Sequence, residues 1–256
     1  MADMLEKAEL SNILEMLNLV VSRLQAINDF EALVFDKERD AKEVAHIQKF
    51  IEHHYWFFGE QYHLATAEEP NFEEALRTYL NYASDNFYKK GEVKIDDPNK
   101  YKQMDIFAIQ SVKTGEIKKC IVVELKRPSV TLSSKELQQI KKYYSVIKNE
   151  PRFQSDKIAW DFILVGNKYN DEIQGEIENC RQHGIYNCVY KVDKCTIVVK
   201  TWSDIITELR MNMQYLEDKL KLDYTKLYDK STYTSDQIIL DQNGSKASMP
   251  KAIAEG

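Results

Sequence analysis

Ile121-Val122-Val123-Glu124-Leu125-Lys126-Arg127-Pro128 is the stretch on which the fold of this chain turns. Its apolar, β-branched start predicts a buried strand. Pro128 ends that strand, because proline brings no N–H to a ladder. Two charges sit inside the apolar run. Residues two apart on a strand share a face, so Glu124 and Lys126 project together. Partly burying a carboxylate and an ammonium is costly unless they pair or serve a site.

Toward the N-terminus, Met104 to Val112 is apolar and β-prone. Lys113-Thr114-Gly115-Glu116 reads as a hairpin turn into a second strand from Ile117 to Lys126. Such a hairpin brings Asp105 and Glu124 to the same end of adjacent strands. Two carboxylates that close repel each other unless a cation lies between them. A hard divalent ion with oxygen ligands suits that place. Lys126 beside it can orient a water and stabilise negative charge building on a phosphate. Together the three residues suit phosphodiester hydrolysis.

Toward the C-terminus, Ser133 and Glu136 have capping-box spacing and predict a helix to about Lys148, with Pro151 beyond it. Trp160 to Val165 is a third apolar strand, continuous enough to be buried on both faces. Asp171 to His183 reads as helix, Cys188 to Val192 and Thr196 to Thr201 as strands, and Trp202 to Leu220 as a long amphipathic helix. A hairpin followed by a crossover helix means an α/β fold with a mixed sheet.

Upstream, Leu5 to about Phe35 reads as helix. Leu10, Leu14, Leu17, Val21 and Leu24 form a heptad seam, widened by Ile13, Val20 and Ile27. Packing on its own domain and packing on another copy both satisfy that stripe. A second helix is expected from about Ala41 to Phe57, capped by Asp40 with Glu43 three residues on. Phe72 to Phe87 reads as a helix inserted before the sheet, and Gly91 to Lys102 as a loop. The expected organisation is an N-terminal helical segment for oligomerisation over 1–40, the α/β domain over 41–202, a C-terminal helix over 203–227 and a flexible tail over 228–256.

Composition sets outer limits. The chain has 256 residues, 43% apolar and 30% charged, ordinary for a soluble globular protein. Its apolar runs are far below the roughly 20 residues of a membrane helix. It begins without a basic-then-apolar leader, so the expected location is cytoplasmic and no membrane partner is expected. Cys120, Cys180, Cys188 and Cys195 fit no metal-ligand spacing and read as reduced thiols. His53, His54 and His63 lack HExxH spacing. The net charge of −6 excludes a globally basic nucleic-acid binder. Between Lys113 and Glu150, however, nine bases against four acids leave +5. That is enough for a local phosphate-binding patch, although a plain solvated helix face has the same charge. No GxGxxG, GxxxxGK[ST] or GxSxG occurs, which argues against a nucleotide cofactor, a P-loop ATPase and a serine hydrolase.

Asp105 followed by Glu124-Leu125-Lys126 resembles the D…(D/E)xK signature of the PD-(D/E)XK nuclease superfamily. Gln139-Ile140, with Tyr143 after it, resembles the Q-[LI]-xx-Y helix motif of several of its branches. Ile47 to Glu52, ending in Trp56-Phe57-Phe58-Gly59, is similar to the opening helix of the Shedu anti-phage nucleases. Over about residues 41–200 the order of helix, lone-aspartate strand, E-L-K-x-P strand and glutamine helix is also theirs.

The resemblance implies a restriction-endonuclease-like mixed sheet flanked by helices. It implies a metal-dependent endonuclease that cuts DNA in bacterial defence against phage and works with Mg²⁺ or Mn²⁺; the expected homo-oligomer rests on the Leu10–Leu24 seam instead. Asp105 and Glu124 would be metal ligands, with the Leu125 carbonyl as a third. Lys126 would assist the attacking water, and Gln139 would position the lysine, the water or a phosphate, unless it simply faces solvent. An acid on the opening helix often completes such sites. Glu43 fits best and Glu52 competes, while helix capping also accounts for Glu43. Arg127, Lys141 and Lys142 are candidate DNA contacts or plain solvated cations, and Tyr143 reads as core packing. Two departures stand out: Met104 where the superfamily name has proline, and the extra helix from Phe72. The alternative is a module of the same fold that holds DNA ends or a partner with little or no cleavage. An intact Asp105, Glu124 and Lys126 speaks against that.

Overall fold

The computed structural model of the chain describes residues 2–35, 44–59, 62–66, 70–83, 87–111 and 117–220. The chain divides into two compact units, Met1–His53 with Ile206–Gly256, and His54–Ile205.

The larger unit is built on a sheet. Its strands are β1 (His63–Thr66), β2 (Ile106–Ser111), β3 (Ile117–Leu125), β5 (Ala159–Gly166), β7 (Cys188–Val192) and β8 (Cys195–Thr201). They lie in the order β1-β2-β3-β5-β8-β7. The β1/β2, β2/β3 and β7/β8 pairs are antiparallel, and β3/β5 and β5/β8 are parallel. Three helices belong to this unit: α3 (Phe72–Ala83), α4 (Ser134–Asn149) and α5 (Asp171–Cys180). Two short strands, β4 (Thr131–Leu132) and β6 (Lys168–Tyr169), pair in parallel beside the main sheet. This is the mixed α/β sheet flanked by helices that the sequence predicts.

The inner strands carry buried apolar residues on both faces, as the near-continuous apolar run of a central strand predicts. Cys120 and Val122 of β3 join Trp160, Phe162 and Leu164 of β5 and Phe107 of β2 in one core, with Leu137, Ile140, Tyr144 and Ile147 of α4 packed among them. The Phe107 and Trp160 rings stack with centroids 5.9 Å apart, and Phe153 meets Trp160 edge-on at 5.3 Å. On the other face of β3, Ile121, Val123 and Leu125 are buried as well. Glu124 continues the Cys120–Val122 row, so it points to the α4 side.

α4 starts where its sequence signal places it. The Ser133 backbone N–H donates to Glu136 Oε2 at 3.0 Å, and the Lys135 N–H donates to Ser133 Oγ at 3.3 Å, closing a capping box. β5 ends on Gly166, where an added Cβ would lie 2.7 Å from Leu132 Cγ and Cδ2. Leu132 is fully buried, so a hydrogen at Gly166 lets β4 close over the end of β5.

The smaller unit contains α1 (Ala2–Phe35), α2 (Val44–His53) and most of α6 (Trp202–Leu220). Along α1, Val20, Leu24, Ile27 and Phe30 are buried, and Phe30 packs on Phe50 of α2 at 5.4 Å. Leu17 and Val21 of the seam are half-buried, while the side chains of Leu10, Ile13 and Leu14 lie outside the described set. Arg210 of α6 donates to Asn28 of α1 at 2.9 Å.

Several local expectations shift. The second helix does not run through to Phe57. It gives way to a 3-10 turn over Tyr55–Phe58, with the Phe57 N–H on the His54 carbonyl at 2.9 Å. Four consecutive aromatic residues are poor helix formers, and Gly59 at φ 135° ends the turn. β2 starts at Ile106 rather than Met104, because the Met104 N–H is taken by the Pro70 carbonyl at 3.1 Å. The inserted helix is described to Ala83. The 113–116 turn, the Asp40 cap and the 228–256 tail lie outside the described residues.

Candidate active site

The antiparallel register pairs Ile106 with Val123, which leaves Asp105 and Glu124 one step further along adjacent strands. Asp105 sits in a bend just before β2, and one of its carboxylate oxygens accepts the Leu125 N–H at 2.5 Å. The neighbouring Lys126 N–H goes to the Val165 carbonyl of β5 at 2.8 Å. The backbone that carries Glu124 and Lys126 is thus pinned from both sides.

Glu124 is buried at 3% exposure, and the partners it meets define the site. Lys126 Nζ and Gln139 Nε2 both donate to Glu124 Oε1 at 2.6 Å. Gln139 Oε1 accepts from Lys126 Nζ at 2.9 Å, closing a three-membered ring of side chains. The Tyr143 hydroxyl lies 3.0 Å from Glu124 Oε2 and 2.5 Å from the Gln103 carbonyl. Its single proton can go to one of these at a time, and it accepts from Gln139 Nε2 at 2.8 Å. Gln139 and Tyr143 are four residues apart on α4 and share a helix face. Tyr143 does pack in the core, edge-on to Phe72 at 5.5 Å, but its hydroxyl belongs to the site. Its i+4 spacing from Gln139 was the sequence signal for this.

Burial raises the Glu124 pKa above the ordinary carboxylate value. The Lys126 charge and the hydrogen bonds from Lys126, Tyr143 and Gln139 pull it back without cancelling the effect. Burial, and next the Glu124 charge, push Tyr143 far up, so it stays a neutral donor.

Beside this network opens a cleft of about 340 Å³, lined by Lys102, Lys126, Val130, Lys135, Glu136, Gln139 and Lys142. Lys126 and Gln139 therefore belong to both the buried network and the open wall. Lys102 and Lys135 were not singled out by sequence; Lys135 was only one of the bases in the 113–150 run. Of the three candidate DNA contacts, Lys142 lines the cleft. Arg127 is exposed outside the lining, and Lys141 sits 3.5 Å from Glu176 of α5. Glu43 lies outside the described residues. Glu52 is on α2, in the other unit, and accepts from Gln48 at 3.1 Å.

Among the described residues, no group of three or more His, Cys, Asp or Glu side chains is placed to hold a metal. What the two strand ends offer is all oxygen: the Asp105 and Glu124 carboxylates and the carbonyl of Leu125, the residue after Glu124. Hard oxygen donors without imidazole or thiolate suit Mg²⁺ or Mn²⁺ better than zinc.

Fold and site together describe a mixed α/β domain with a lysine–carboxylate–glutamine network at the end of its central strand. The family described as Type I restriction enzyme R protein N terminus (HSDR_N) matches residues 70–174. That stretch runs from the start of α3 into α5 and includes Asp105, Glu124, Lys126 and Gln139, so this part of the chain is similar to a restriction-enzyme domain. No curated protein matches the chain. No helix among the described residues is long and apolar enough to cross a membrane.

Proposed function

We propose that this chain is a metal-dependent nuclease that hydrolyses DNA phosphodiester bonds in bacterial defence against phage. One observation carries the chemistry. Lys126 is held by Glu124 at 2.6 Å and Gln139 at 2.9 Å, beside Asp105, on the wall of a lysine-lined cleft. DNA as substrate is supported by the similarity of residues 70–174 to a restriction-enzyme domain. The defence role is supported by the resemblance to the Shedu nucleases.

Asp105 and Glu124, with the Leu125 carbonyl, would hold Mg²⁺ or Mn²⁺, which supplies Lewis acidity toward a phosphate oxygen when bound. The chain's own residues do the rest. Lys126, fixed by two acceptors, has one donor direction left for a water or a non-bridging phosphate oxygen. Its charge offsets the negative charge that builds on the phosphate in the transition state. Gln139 positions Lys126 and Glu124, and Tyr143 positions Gln139 and Glu124. Self-association through α1 belongs to the same reading. Met16 and Leu19 are 66% and 52% exposed on that helix, and changing both to Asp should lower the mass in solution.

The experiment is direct. Wild type and Lys126→Ala are incubated with linear and supercoiled DNA in Mg²⁺, Mn²⁺ or EDTA. Cleavage by wild type alone, abolished by EDTA, is expected. A wild type that never cuts, or an equally active Lys126→Ala, removes the nuclease reading. Binding without cleavage would leave the module that holds DNA ends or a partner.

A further inference from the structure

Three lysines of the cleft are held by no carboxylate, whereas Lys126 on its wall is paired with Glu124 and several bases elsewhere in the larger unit are paired too. Lys90, Lys94, Lys100, Lys119, Lys141 and Arg152 each lie within ion-pair distance of a carboxylate. Among the described residues, Lys102, Lys135 and Lys142 have no such partner. Three unpaired ammonium groups around one concavity repel each other and raise the local potential, which favours an anion there. The one acid in the lining, Glu136, offsets only part of this charge, since a single carboxylate stands against three ammonium groups. Glu136 is committed to the capping box, accepting from Ser133 N at 3.0 Å and Ser133 Oγ at 2.7 Å.

The spacing narrows what kind of anion fits. Lys135, Gln139 and Lys142 are at i, i+4 and i+7 and form one stripe along α4. Seven residues at 1.5 Å rise separate the two lysines by roughly 10 Å along the axis. One nucleic-acid strand advances about 3.4 Å per phosphate, so that length covers on the order of three phosphates. A single phosphate or a carboxylate would use only one end of the stripe. Lys126, at the level of Gln139, joins the stripe to the buried network.

We infer that Lys102, Lys135 and Lys142 form a binding track for consecutive phosphates of one nucleic-acid strand, leading to Lys126. This deepens the nuclease reading and rests on it for the position of the bond that is cut. The track needs no base contacts, so its affinity is independent of sequence and falls with salt.

The test is fluorescence anisotropy with a labelled duplex and the matching single strand, in EDTA so that nothing is cut, over a series of salt concentrations. The proteins are wild type, Lys102→Gln, Lys135→Gln, Lys142→Gln, the triple variant, and Lys118→Gln and Lys157→Gln as exposed lysines outside the cleft. Each cleft substitution should lower the slope of log affinity against log salt by about one, and the triple variant by about two to three. The two controls should keep the wild-type slope. Circular dichroism checks that the triple variant is folded. An unchanged slope in a folded triple variant, equal losses in the controls, or no binding by wild type overturns the inference, whatever the cleavage assay shows. A reduced slope beside a wild type that never cuts with Mg²⁺ or Mn²⁺ keeps the track and removes the nuclease reading.

Discussion

Replacing Gln139 by Leu separates positioning from packing at this site. The side chains are similar in volume, so α4 should keep its seat. Three hydrogen bonds disappear: to Glu124 at 2.6 Å, from Lys126 at 2.9 Å and to Tyr143 at 2.8 Å. Two of the three involve a charged group, and such bonds contribute roughly 1.5–3 kcal/mol each. Gln139 also faces the cleft, so water can replace part of what is lost on the Lys126 side. A net loss of about 2–3 kcal/mol in stability follows. At about 2–4 °C per kcal/mol for a protein of this size, Tm should fall by about 4–12 °C. Activity should fall further than stability accounts for. Lys126 would keep one anchor instead of two, and loss of one aligned transition-state donor costs on the order of 10²–10³ in kcat. Steady-state cleavage well below Tm, with Mg²⁺, should show kcat down at least tenfold and KM little changed, because the Lys102–Lys135–Lys142 track is intact. Wild-type kcat in a folded Gln139→Leu, or a loss seen only in KM, would refute the positioning role. An unchanged Tm would refute the energetics.

Three further expectations follow from other parts of the structure. Saturating Mn²⁺ at about a hundred times Kd should add about 2.7 kcal/mol, or roughly 5–11 °C of Tm, to wild type; Asp105→Asn should lose that shift in differential scanning fluorimetry, and equal shifts in both would exclude Asp105 as a ligand. Gly166→Ala should cost about 1–3 kcal/mol in urea unfolding, because its Cβ meets Leu132 at 2.7 Å, and Leu132→Ala should cost less in that background than alone. Glu73 binds the Ile95 N–H at 3.1 Å, with Lys94 and Lys100 at 3.4 and 3.6 Å. Burial alone would raise its pKa, but the Ile95 bond and the two lysines outweigh that and lower it. A carboxyl lowered on folding stabilises above the unfolded value of about 4.3, and loses that contribution as pH falls through the folded value. The Tm gap between wild type and Glu73→Gln should therefore be wide at pH 6 and narrow toward pH 3, and a constant gap would contradict it.

Much of the fold was legible because its signals are local. The apolar run into Glu124-Leu125-Lys126, the Ser133–Glu136 box and the Trp160–Val165 run each announce their element within a few residues. What was missed depends on partners far away in sequence. His63–Thr66 is a four-residue edge strand defined by its pairing with β2. Thr131–Leu132 and Lys168–Tyr169 are two-residue strands that exist only because they pair with each other. In the site, Glu124 and Lys126 stood out as charges at the end of an apolar strand, while Gln139 was picked out only by the resemblance of Gln139-Ile140…Tyr143 to a helix motif. Lys102 did not stand out, since a lysine in a polar loop looks the same in a cleft as in open solvent. Lys141 and Lys142 are adjacent in sequence yet point to different places, Glu176 and the cleft, because successive helical residues are turned by about 100°.

That 100° step gives the Ser133 capping box a consequence for length variation. The box fixes residue 133 as the point from which the turns of α4 are counted, and Gln139 and Tyr143 meet Glu124 only at the phase this start sets. Length changes just after Pro128 keep the same site as long as Thr131–Leu132 still pairs with β6 and delivers the cap. One residue more or fewer between Ser133 and Gln139 would swing the glutamine about a quarter turn off the strand. Relatives that share this chemistry should therefore vary in the connector and hold the cap-to-glutamine interval constant.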